Sequence, residues 1–334
     1  MGILQGIAEF LPISSSGHLA LFQHFFAMEN VEESQMFFTV LLHFATLIAV
    51  CVYYWQDIID MIREFFLGVR DLCFRRGQTG RPPEARRLVL MVIVATLPLF
   101  LVLLVKKVLD AAFNNVTFVS LALIVTGFLL FFSDRMARGY KTARTATMKD
   151  ALVVGCVQAV ATLPGLSRAG STISAGMLCG LDRSFAVRFS FLMSLPAVLG
   201  ANILEIADAA QAGAFDATLL PMYLLGMVVA GVVGYFAIRL VNLLADKGKF
   251  GSFAYYCWAV GLISLVAGGV VGVLAQRSRL CMAGGMRDAV LLHESARAGA
   301  YTVTLEGLVS GAGISNWCDD VEESRTYAVV AVTR

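Results

Sequence analysis

Two short polar runs interrupt otherwise apolar stretches of this chain, and they hold nearly every residue equipped for chemistry. The first is Glu9-Phe10-Leu11-Pro12-Ile13-Ser14-Ser15-Ser16-Gly17-His18, with Gln5 one helical turn before Glu9. The second is Leu163-Pro164-Gly165-Leu166-Ser167-Arg168-Ala169-Gly170-Ser171-Thr172. A carboxylate inside an apolar segment costs about 2.5–3.5 kcal/mol on insertion scales, so Glu9 calls for a partner and a purpose. Serine, glutamate and histidine close together supply a nucleophile, a base and a proton donor. Hydroxyls such as Ser14 and Ser16 also satisfy the backbone of a broken helix. Arg168 offers phosphate oxygens a planar fork of donors. Ser167, Ser171, Thr172 and the free N–H groups opening the next helix add to it. The competing role for Arg168 is a pair with Glu9 or a reach to lipid headgroups. His24 and His43 are lone histidines near span ends, expected to pack or hydrogen-bond rather than react.

The elements that must position these residues are membrane helices. Of the 334 residues, 58% are hydrophobic and 15% charged, against about 45–50% and about 25% in soluble domains. Six segments read as spans, at 36–55, 88–105, 116–133, 186–206, 219–240 and 253–275. The stretches 1–27 and 150–180 hold the two polar knots and do not fit that template. Their Pro, Gly and hydroxyl residues free backbone polar groups, which survive at membrane depth only inside protein or against water. Both are expected as re-entrant or broken helical hairpins. Gly2-Ile3-Leu4-Gln5 and Gly155-Cys156-Val157-Gln158 match, and each precedes Leu-Pro and then Ser-x-x-Gly. Paired interrupted segments are the trace of an inverted repeat with its site at the midplane. The expected fold is therefore all-α and integral to the membrane, with about six transmembrane helices and two opposed hairpins. A membrane domain over 1–275, with halves at about 1–133 and 150–275, would carry a polar tail at 276–334, where 301–305 hints at a strand.

Charge sets the expected orientation. Arginines at 63, 70, 75, 76, 81, 86 and 87 crowd the loop 57–87, and Arg135, Arg138, Lys141, Arg144 and Lys149 crowd 134–149. The positive-inside rule puts both in the cytoplasm, so the first knot enters from outside and the second from within. Net charge of +2 gives no argument for nucleic acid. The seven cysteines show neither metal-ligand spacing nor a disulfide framework. No basic region precedes the first apolar stretch, so no cleavable signal peptide is expected.

Gln5-x-x-x-Glu9 with Phe10 to His18, followed by Pro164-Gly165-Leu166-Ser167-Arg168, resembles the bacterial undecaprenyl-diphosphatase family associated with bacitracin resistance. The resemblance covers about 1–275. It implies hydrolysis of undecaprenyl diphosphate to the monophosphate, which recycles the lipid carrier of cell-wall synthesis. It also implies a divalent cation, magnesium or calcium, and a site opening to the outer face of the bacterial inner membrane. By that analogy Arg168 clamps the diphosphate with Ser14, Ser16, Ser167, Ser171 and Thr172. Glu9, with Gln5, holds the metal or manages protons. Ser15 would be the nucleophile and His18 its base or the proton donor to the leaving group, while direct attack by water stays open. The family's Ser-Arg-Ser reads Ser167-Arg168-Ala169 here, one hydroxyl short. The expected partners are the polyprenyl diphosphate, membrane lipids and a second copy in a homodimer. A lipid-phosphate transporter is the other reading, but carrying phosphate needs no nucleophile and base.

Overall fold

An apolar run of bilayer length can satisfy its backbone polar groups only internally, so it folds as a helix. The computed structural model describes residues 1–18, 32–73, 83–102, 116–136, 139–211 and 219–277, and among these the regular elements are helical. In chain order they are α1 (Gly2–Phe10), α2 (Glu32–Tyr53), α3 (Trp55–Cys73), α4 (Glu84–Thr96), α5 (Leu99–Val102) and α6 (Val116–Arg135). The second half holds α7 (Met148–Val160), α8 (Arg168–Leu178), α9 (Arg183–Gln211), α10 (Leu220–Asp246) and α11 (Phe253–Arg277). Met1–Gly268 forms one compact unit. Of the other, Gly269–Arg334, only the end of α11 is described, so the expected tail and its strand lie outside the described residues.

Among the described residues, five stretches are long and apolar enough to cross a membrane: Glu84–Val102, Thr117–Arg135, Arg183–Ile206, Leu220–Asp246 and Phe250–Gly268. The bent pair α2–α3 makes a sixth when taken as one span. The chain is a multi-pass membrane protein. Phe100, Phe132, Leu225 and Ile263 stay exposed on its flanks, as contact with lipid tails allows.

One expectation is corrected. The stretch beginning at 57 reads as a basic loop, yet most of it is α3, bent 85° away from α2. Its charges are one-sided, which a count of arginines hides. Asp57 takes a fork from Arg188 at 2.6 and 3.0 Å, while Glu64 and Asp71 each accept from Arg86 at 3.0 Å. Ile59, Ile62, Phe66 and Val69 remain exposed on the other side. Such a helix suits the membrane surface rather than its interior.

The described elements fall in the same order twice: α1 and its corner, then α2, α4–α5 and α6; α7 and α8, then α9, α10 and α11. Each half's hairpin packs on the middle span of the other, α1 on α10 and α7 on α4. Small residues make the closeness possible. A Cβ at Gly2 would stand 2.7 Å from the Gly226 carbonyl oxygen, and one at Gly6 2.7 Å from that of Ala230. Gly155, which the sequence pairs with Gly2, lies closer still to its neighbour, and a Cβ there would run into the Ala95 carbonyl oxygen. The Ser-x-x-Gly match has a counterpart too. Ser14 Oγ accepts from the Gly17 N–H at 3.1 Å, and Ser167 Oγ from that of Gly170 at 3.1 Å.

The end of the bundle that carries the basic stretches is tied by ion pairs and carbonyl contacts. Arg183 meets Asp134 at 2.5 Å, Lys141 meets Asp150 at 2.9 Å, and Arg87 donates to the carbonyls of Ala143 and Ala146. Thr147 caps α7 in a reciprocal box with Asp150, which fixes where the second hairpin begins.

Candidate active site

α1 stops where Leu11 turns extended ahead of Pro12, and Ser14 then adopts φ +69°. That left-handed conformation is uncommon for a residue with a Cβ and redirects the chain sharply. Helix resumes at residue 15, so Ser15, Ser16 and His18 follow a corner rather than continuing α1. In the second knot Gly165 (φ +89°) passes beneath the Val119 carbonyl, too near for any side chain. Ser167 then caps α8, its own N–H donating to Thr126 Oγ1 at 3.1 Å. The two corners meet. A Cβ at Gly17 would lie 3.1 Å from Gly165, and one at Gly170 3.0 Å from Pro12.

Glu9 is buried at this junction, 8% exposed. Its Oε1 pairs with Arg168 Nη2, and its Oε2 accepts from Ser15 Oγ at 2.7 Å and from Gln5 Nε2 at 3.1 Å. The Gln5–Glu9 contact is the expected one-turn pair on α1. Arg168 also borders an open cleft with Glu9, Thr46, Ala169, Ser190 and Ser194. Its Nε and Nη1 have no hydrogen-bond partner among the described residues, so most of the fork remains available to an anion entering that cleft. A hydroxyl, a carboxylate and a guanidinium in one chain of contacts can deprotonate a nucleophile beside a bound phosphate.

The structure distributes the other expected residues differently. Ser14 and Ser16 lie 3.3 Å apart at their hydroxyls, and Ser14 serves the corner itself. His18 does not join Ser15. Its Nδ1 lies 2.8 Å from the Ser14 carbonyl oxygen and its Nε2 2.8 Å from Tyr256 Oη. Glu9 is thus the group in reach of the Ser15 proton. Ser167, Ser171 and Thr172 are buried. Ser167 is committed to its cap, and Thr172 Oγ1 to the Arg168 carbonyl and Ser190. Ser167 and Thr172 hold α8, and so Arg168, in place rather than facing the cleft, while the buried Ser171 Oγ has no hydrogen-bond partner among the described residues.

His43, expected to pack or hydrogen-bond rather than react, does hydrogen-bond, but within the site itself. From α2 its Nδ1 lies 3.0 Å from Gln5 Nε2 and 3.6 Å from Glu9 Oε2. The signal was present, since a histidine within an apolar span raises the same question as Glu9. His24 lies outside the described residues.

A family model for bacitracin resistance protein BacA matches residues 1–263, which takes in both corners and every contact just described. The chain belongs to the BacA family. Similar proteins include the undecaprenyl-diphosphatase of Methanosphaera stadtmanae, 39% identical over 272 residues that cover 80% of this chain and 95% of that protein. That of Halothermothrix orenii is 38% identical over 271 residues, covering 81% and 96%. That of Methanobrevibacter smithii is 40% identical over 266 residues, covering 79% and 94%. The BacA match ends at residue 263, within α11.

A divalent cation at this BacA site would need oxygen ligands. Among the described residues Glu9 is the one carboxylate of the site, and no group of three or more His, Cys, Asp or Glu stands ready to hold a metal ion. Gln5 donates through its amide nitrogen, while its carbonyl oxygen accepts no hydrogen bond there. Magnesium is commonly held by one or two carboxylates with substrate phosphates completing the shell. Glu9 and Gln5 fit that pattern, with the phosphates as necessary co-ligands.

Proposed function

We propose that this protein hydrolyses undecaprenyl diphosphate to undecaprenyl phosphate and inorganic phosphate. The observation that carries the reading is Glu9, buried between the Ser15 hydroxyl and the Arg168 guanidinium where the two corners meet. The names of the similar BacA proteins supply the lipid. A bare anion carrier needs the guanidinium but not a serine hydrogen-bonded to a buried carboxylate.

In this mechanism the free N–H groups of Arg168 bind the terminal phosphate and draw it against Ser15. Glu9 takes the proton from Ser15 Oγ as that oxygen attacks the terminal phosphorus. The bond to the bridging oxygen breaks, and its electron pair leaves with undecaprenyl phosphate, to which His18 supplies a proton. Water, giving a proton to His18, then attacks the phosphoserine; the bond from phosphorus to Ser15 Oγ breaks as Glu9 returns its proton to that oxygen, and inorganic phosphate leaves. The alternative route has water attack directly, with Glu9 as its base and Ser15 holding the phosphate. Gln5 and Glu9 would hold a divalent cation, which when bound offsets the charge of the diphosphate.

Purified protein in detergent should release inorganic phosphate from undecaprenyl diphosphate, and chelating divalent cations should stop it. Release at an unchanged rate under chelation would remove the cation from the scheme. Binding of the lipid without any release would favour a carrier.

The basic stretches support an inner-membrane protein with its cleft opening outward. An impermeant thiol reagent applied to intact cells should label a cysteine placed at Glu32 and spare one placed at Arg81, each judged against the unaltered chain. The reverse pattern would invert the orientation.

A further inference from the structure

We propose that Tyr256 is a positioning residue for His18, holding the imidazole in one orientation through both of its protonation states. This rests on the reading of His18 as proton donor to the leaving group. The Ser14 carbonyl, 2.8 Å from His18 Nδ1, can only accept, so Nδ1 carries a proton in either state. In the neutral ring Nε2 is then a bare acceptor, and Tyr256 Oη at 2.8 Å donates to it. Once Nε2 is protonated, the same phenol oxygen can turn and accept until the leaving-group oxygen takes that proton. A hydroxyl serves both states without moving the ring, which neither a carbonyl nor an ammonium could do. The two rings are nearly parallel, with centroids 5.5 Å apart and planes 11° off.

Both ends of this arrangement are fixed by backbone. Ser14, at φ +69°, gives its carbonyl to the His18 N–H at 3.1 Å as well as to the ring. Cys257, next to Tyr256, directs its Sγ to the Pro12 carbonyl oxygen at 3.4 Å and pins α11 to the same corner. The opposite half uses its third span alike. There Thr126 of α6 takes the Ser167 N–H at the other corner. Each corner is therefore steadied from the last span of one half, but only the first has an ionisable ring to steady. With Ser15 turned to Glu9, the labour divides: Glu9 receives a proton and His18 delivers one. A donor that wags between states delivers poorly, because proton transfer depends on reach and alignment.

The test uses the full chain in detergent with undecaprenyl diphosphate. Tyr256→Phe should lower kcat about tenfold and leave KM within about twofold, since the phenol does not touch the diphosphate. In a His18→Asn background the same change should have no further effect, because the two act as a unit. Tyr256→Gln, which still donates and accepts, should retain several times the turnover of Tyr256→Leu. Equal thermal midpoints for these variants would exclude loss of fold, and the Gln and Leu pair stands in should Phe prove unstable. Wild-type kcat in Tyr256→Phe, equal turnover in the Gln and Leu variants, or losses that multiply fully with His18→Asn would each overturn the proposal. If His18→Asn itself kept wild-type turnover, the reading of His18 would fall instead.

Discussion

Exchanging Arg168 for lysine should lower turnover at least about a hundredfold, the range seen when a group aimed at developing charge is lost. The charge survives the exchange but the geometry does not. Arg168 gives one N–H to Glu9 and keeps Nε and Nη1 for the cleft. A planar fork can serve a carboxylate and a phosphate together, whereas one ammonium must divide itself between them. Binding of the lipid should weaken with turnover, and expression should hold, because no charge is added to the membrane. Phosphate release by the purified variant, set beside its yield and monodispersity, checks this. Retention of most of the wild-type rate would remove the phosphate clamp from Arg168 and leave it a structural counter-ion.

Glu9→Gln should be at least as damaging, again by about a hundredfold or more. Glutamine fills the same space and can still accept from Ser15, but it cannot take the proton, offer a charge to a cation or balance Arg168. A guanidinium left without its buried partner costs stability as well, so a lower thermal midpoint should accompany the loss. Comparable turnover with an unchanged midpoint would sink both roles. Ser15→Ala then separates the two chemical routes. Near-complete loss means that the serine attacks phosphorus. A mild loss means that water attacks and the Ser15–Glu9 bond at 2.7 Å serves to orient the carboxylate.

Much of this was legible because the membrane makes polar residues conspicuous. Glu9 and Arg168 stood out as ionisable groups in broken apolar segments, and the structure brings them into contact. The weak match of Gly2-x-x-Gln5 with Gly155-x-x-Gln158 pointed to a repeat, and its glycines make equivalent close approaches. What stayed hidden depended on tertiary direction. His43 and Tyr256 reach the site from α2 and α11, and no local spacing ties either to Glu9 or His18. The corner at Ser14 turns His18 away from Ser15, which proximity in sequence could not reveal. Ser167, Ser171 and Thr172 looked like phosphate ligands because a hydroxyl count says nothing about which face of α8 is buried. In α3 the arginines drew attention to charge, while the feature that set its place was a one-sided period.

The exchange of partners between the halves also bears on how the protein comes to be made. Glu9 enters the bilayer with the earliest helix of the unit, but its counter-ion, Arg168, belongs to a hairpin synthesised much later. The glycines that let α1 settle await Gly226 and Ala230, and the phenol beside His18 comes from the last span. Until then Glu9 has only the Ser15 hydroxyl and the Gln5 amide of its own segment, and lateral docking of α1 on α10 becomes a late event in biogenesis. Chains stalled before α8 would lack the counter-ion altogether, and chains stalled before α10 would lack the surface on which α1 settles.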